Sequence, residues 1–123
     1  MKRLAMVIDA ADPILVVYHE DNTQTYGLAK EETKPFQQIL DSVEERFGVN
    51  AICGEYHETL GFETQQEKDD LIADAFKLFG EVKKHLSSKY KIDEPPDLSM
   101  LYKTPAGKRE ELRRAYAKEH HLS

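Results

Sequence analysis

Cysteine occurs once in this chain of 123 residues, at Cys53, so no disulfide can form within it. Long apolar runs are equally scarce. Nothing approaches the roughly 18 apolar residues of a membrane span, and Asp9 interrupts the opening MKRLAMVIDA before it reaches the length of a secretory signal. A cytoplasmic protein with no membrane association is the expectation. Signatures of catalysis are missing too: there is no HExxH pair, no cysteine pair, no EF-hand loop and no glycine-rich phosphate loop. Ser42 and Ser99 have no neighbouring glycine turn, and no pattern links any of the five histidines to a serine or cysteine. Cys53 sits in the apolar context NAICGE, where a free cysteine behaves as a small buried hydrophobe. These absences point to a protein that is not an enzyme and has no cofactor.

What is present is charge, unevenly spread. The formal net charge is −6. From Lys103 onward six Lys or Arg face three Glu, a balance of +3, which leaves −9 on residues 1 to 102. So acidic a body would repel the phosphates of nucleic acid, which argues against general nucleic-acid binding. The basic segment suits a smaller anion or an acidic partner.

The chain is long enough for one domain with its own core. RLAMVIDA reads as a strand broken by Asp12-Pro13, and ILVVYHE, apolar at both parities, as a central strand covered on both faces. Glu20, Asp21 and Asn22 signal a turn into TQTYGL, which completes a hairpin. Phe36, Ile39, Leu40, Val43 and Phe47 then fall on one helical stripe, with Pro35 in the first turn and Gly48 as the stop. A strand is expected from Ala51 to Tyr56. Thr64 and Glu67 form a capping box before a long helix with Leu71, Ala75, Leu78, Phe79, Val82 and Leu86 as its stripe, widened by Ile72 and Phe76 and closed by Lys83, Lys84, Lys89 and Lys91.

The segment holding Pro95, Pro96 and Pro105 reads as an extended connection to a thinly apolar third helix with Leu112, Ala115 and Tyr116. The expected fold is therefore α+β: a small antiparallel sheet of about four strands packed by two amphipathic helices, plus a C-terminal basic helix. Residues 1–94 would form the core, and 95–123 the connection and basic helix of the same domain. A helix as long as the second can overhang a domain of this size, so a homodimer through the second or third helix is expected as well.

Two features invite a catalytic reading. The triplet Tyr-His-Glu occurs twice, at Tyr18-His19-Glu20 and Tyr56-His57-Glu58. On a strand the histidine of each triplet faces away from its tyrosine and glutamate, so one ion cannot collect His and Glu from the same triplet. The repeat reads as two polar strand ends. Asp9 and Asp12, with His19 or His57, would supply a metal-dependent hydrolase, but the chain lacks the strand and helix alternation of such folds.

The strongest site is the basic segment. On a helix starting near Pro105, Arg109 and Arg113 share a face with Tyr116 and His120, flanked by Lys108 and Arg114; Lys103 and Thr104 lie beside its start. Helix N–H groups and arginine forks bind phosphate, and Tyr116 or Tyr102 would stack on a base. A small binding protein that sequesters a phosphate-bearing, nucleotide-like ligand or an acidic partner is the first expectation. The alternative uses the acidic body, with Glu44, Glu45, Asp69, Asp70 and Asp74, to block a basic partner such as a nuclease, as immunity-type inhibitors do.

Overall fold

A computed structural model describes residues 1–7, 14–49, 51–53, 58–98, 102–103, 111 and 114. Three strands come first: β1 (Arg3–Met6), β2 (Leu15–Tyr18) and β3 (Gln24–Tyr26). β2 runs antiparallel to both neighbours, with Leu4 opposite Val17 and Val16 opposite Tyr26. The β2–β3 turn is made by local chemistry. Asn22, with φ 70°, takes the left-handed conformation that asparagine tolerates, and Asp21 accepts hydrogen bonds from the Thr23 N–H at 3.1 Å and the Thr23 hydroxyl at 2.6 Å. Gly27, with φ 85°, ends the hairpin and donates its N–H to the Leu15 carbonyl at 2.8 Å.

The helical segment opens one turn earlier than its apolar stripe indicates. Helix α1 (Lys30–Thr33) passes through a 3-10 turn at Lys34–Phe36 into α2 (Gln37–Val49). Pro35 occupies the start of that turn, where its missing N–H is harmless. Phe36, Leu40, Val43 and Phe47 are buried as expected, with Ile39 partly so. The hairpin β4 (Ala51–Cys53) and β5 (Glu58–Phe62) follows. One strand was expected here. The second, ETLGF, has its polar Glu58 and Thr59 next to Gly61, a pattern that pairing with neighbours stabilises and periodicity does not reveal.

Helix α3 (Gln65–Leu86) spans 22 residues, about 33 Å at the usual rise. Its N-terminus is capped as the sequence indicates, the Thr64 hydroxyl accepting from the Glu67 N–H at 3.1 Å. Leu71, Ala75, Leu78, Val82 and Leu86 are buried. Phe76 departs from the expected stripe and is 48% exposed. Lys89 and Lys91 lie beyond the helix, Lys89 in the following turn and Lys91 on β6 (Lys91–Ile92).

β6 pairs parallel to β1, the Lys91 N–H reaching the Lys2 carbonyl and the Asp93 N–H the Leu4 carbonyl, both at 2.9 Å. The first sheet is therefore four-stranded and mixed, in the order β3-β2-β1-β6, where a wholly antiparallel sheet was expected. A strand of two residues carries no periodicity, and parallel pairing requires a long crossover that α3 supplies. A second sheet has the order β4-β5-β7, in which β7 (Tyr102–Lys103) lies parallel to β5. The fold is α+β. Side chains from one face of the first sheet (Leu4, Met6, Leu15 and Val17) join those of the helices, Phe62 and Leu98 in one buried cluster.

Candidate functional site

The first Tyr-His-Glu triplet sends its side chains to three different neighbours. The Arg3 guanidinium lies over the Tyr18 ring, 4.8 Å from its centroid. His19 leaves the strand and places Nε2 2.6 Å from the Thr25 hydroxyl. Glu20 receives the Met1 amine at 3.3 Å. In the second triplet, Glu58 opens β5 opposite Cys53, while Tyr56 and His57 lie outside the described residues, as do Asp9 and Asp12. Among the described residues no three His, Cys, Asp or Glu side chains cluster closely enough to hold a metal ion.

The basic segment begins on an anchored strand. Lys103 pairs with Phe62 and Tyr102 with Gly61, which fixes the backbone of β7 beside β5. Glu111 and Arg114 are helical and exposed, three residues apart and so on neighbouring positions of one helix face. Thr104, Lys108, Arg109, Arg113 and Tyr116 lie outside the described residues, as does His120.

Sequence reasoning missed a groove at the α1–α2 junction. It has a volume of about 650 Å³ and is lined by Lys30, Glu31, Lys34, Gln37 and Asp41. Two of its lining residues are hydrogen-bonded to each other, Gln37 Nε2 donating to Asp41 Oδ1 at 2.7 Å, and Gln37 Oε1 in turn accepts from the hydroxyl of the buried Thr33. A second groove of about 410 Å³ adjoins it between α2 and α3, edged by Lys34, Lys77 and Glu81. Three ammonium groups thus rim two connected depressions, with three carboxylates interspersed. The detectable signal was Lys30 and Lys34 four apart, but no apolar stripe accompanies them.

A clamp lies where α1 meets the turn after α3. Glu32 accepts from the Lys89 ammonium and from the Tyr90 hydroxyl, the latter at 3.0 and 3.1 Å to its two carboxylate oxygens. The hydrogen bond from Lys89 is the main cause holding the Glu32 carboxyl below its usual range; Tyr90 adds to it and partial burial opposes it. Burial and the neighbouring Glu32 push the Tyr90 phenol up.

The acidic residues of the helices are largely engaged within the chain. Glu44 accepts the Ile14 N–H at 3.0 Å, and Asp74 pairs with Arg46 at 2.7 Å. Asp69 and Asp70 accept from Gln65 and Gln66 one helical turn earlier, at 2.8 and 2.7 Å, and Glu45 is exposed. No helix among the described residues is long and apolar enough to cross a membrane. No protein-family model, curated protein or solved structure matches this chain.

Proposed function

We propose that this is a small non-enzymatic binding protein that acts by occupancy, holding a phosphate-bearing, nucleotide-like ligand through its basic C-terminal segment. The observation that carries this reading is the separation of charge. A balance of +3 is concentrated from Lys103 onward against −9 elsewhere, and the segment starts from a strand paired to β5. Lys108, Arg109, Arg113 and Arg114 would bind phosphate oxygens, the arginines through paired N–H donors, and Tyr116 would stack on a base. Lys103 and Thr104, which precede that face in the sequence, would add a cation and a hydroxyl beside it. The acidic body disfavours long nucleic acids at the same time, so the ligand is small.

Calorimetric titration with ATP and with inorganic pyrophosphate tests the reading. Arg109→Ala combined with Arg113→Ala should weaken binding by about tenfold to a hundredfold, the loss expected of one or two charge-assisted hydrogen bonds. Lys30→Ala combined with Lys34→Ala should leave it unchanged. The reverse pattern would move the phosphate seat to the α1–α2 groove, whereas absence of binding by the unmodified protein would overturn the proposal.

A further inference from the structure

The outer face of α3 has an internal symmetry that the monomer does not use. Phe76 stands at its centre, 48% exposed. Four residues before it is Ile72 and four after it is Gly80; three before it is Ala73 and three after it is Phe79; seven before it is Asp69 and seven after it is Lys83. At 3.6 residues per turn these positions lie on one face, adjoining the core stripe. Asp69, Ala73, Gly80 and Lys83 are exposed, while Ile72 and Phe79 are partly buried against the core. A Cβ added at Gly80 would meet nothing within 4 Å, so no packing among the described residues calls for glycine there.

We infer that this face binds a second copy of the chain, with the two α3 helices antiparallel about a twofold axis through Phe76. In a twofold interface a residue at position i meets j of the partner, and j meets i. Antiparallel pairing in this register sets Ile72 against Gly80 and Phe79 against Ala73, large against small in both directions. Gly80 and Ala73 form the hollows that let the bulky side chains and the two helix axes approach. Asp69 of each copy meets Lys83 of the other.

Charge selects the occupant. The N-terminal part of α3 carries Glu67, Asp69, Asp70 and Asp74 against Lys68 alone, and the C-terminal part carries Lys77, Lys83 and Lys84 against Glu81 alone. Antiparallel copies bring acidic half to basic half at both ends, whereas parallel copies would oppose like charges. The Asp69 carboxylate already accepts from Gln65, and the Lys83 ammonium lies 5.6 Å from the centroid of the Phe79 ring. Both groups therefore stand on the proposed face in the single chain. The proposed face shares no residue with the basic segment, so its test does not depend on ligand binding.

Light scattering on the full chain at high micromolar concentration should give twice 14.2 kDa. Phe76→Asp should return it to 14.2 kDa with unchanged helical circular dichroism. Asp69→Lys alone and Lys83→Asp alone should each weaken pairing at least tenfold, because each opposes like charges. Mixed together they should form a heterodimer in native mass spectra, since both interfacial pairs are then of opposite sign. A mass of 14.2 kDa for the unmodified chain at every concentration would overturn the inference, as would a mixture that pairs no better than either variant alone.

Discussion

The inner and outer faces of α3 both carry large apolar side chains, which have different fates. Leu71, Ala75, Leu78, Val82 and Leu86 are at most 5% exposed, whereas Phe76, about a third of a turn from their centre, is 48% exposed. Ile72 and Phe79 lie between them, partly buried against the same core. Counting apolar residues at helical spacing merges the two faces into one broad stripe. The contrast teaches that hydrophobicity identifies what a helix can bury, while the position of the sheet and of α2 decides how much of it is buried within one chain.

Substitution on the inner face should have the greatest effect on stability. Leu78 is fully buried, so Leu78→Ala should destabilise by about 2–5 kcal/mol through lost transfer energy and the cavity left behind. Urea unfolding followed by circular dichroism would measure it. Phe76→Ala should cost far less in the same assay under monomeric conditions, and equal losses at the two positions would contradict the assignment of faces.

Next in size is the cap that starts the helix. Thr64→Ala removes the acceptor for the Glu67 N–H and should cost about 1 kcal/mol in unfolding free energy. Gly80→Ala carries the opposite sign. With nothing within 4 Å of the added methyl, replacing a helix-interior glycine should stabilise the monomer by up to about 1 kcal/mol. The same substitution should weaken pairing of copies, because it fills the hollow facing Ile72. A variant more stable as a monomer yet less associated would sharpen the distinction between the faces.

The smallest effect at neutral pH concerns the clamp just after α3. Glu32 has a lowered pKa in the folded chain, caused first by Lys89. Its contribution to stability is therefore present above its ordinary value of 4.5 and is lost as the pH falls through the lowered one. Tyr90 and Lys89 have raised values, so their protons, and with them the clamp, persist to higher pH than the ordinary 10.0 of a tyrosine and 10.5 of a lysine. Glu32→Gln should lower the melting temperature slightly at pH 7 and flatten its acid limb below about pH 4.5, so that the two chains converge in acid. An unchanged acid limb would show that other carboxylates govern it.

The candidate sites were legible to different degrees. The basic segment is plain in the sequence because charge runs need no tertiary information, and Lys103 and Arg114 are the two members that the structure describes. The groove at Lys30 and Lys34 was not legible. Its lining spans a short helix, a 3-10 turn and the start of α2, and no apolar stripe marks the first two. Nor was the engagement of Glu44 by the Ile14 N–H, which joins residues thirty positions apart.

Much of what depends on near neighbours was legible in the residues themselves, apart from the start of α1 and the second strand of the β4–β5 hairpin. The hairpin turn at Asp21 and Asn22, the stripe from Phe36 to Phe47, the Thr64 cap and the buried face of α3 all follow from interactions within about one helical turn or one strand crossing. The two parallel strands, β6 against β1 and β7 against β5, and the exposure of Phe76 depend on how distant parts of the chain pack. Each parallel strand is two residues long, too short to carry a pattern of its own, and it forms only because the preceding chain delivers it to an open sheet edge. Phe76 remains exposed for the complementary reason: among the described residues, sheet and helix cover only one side of α3.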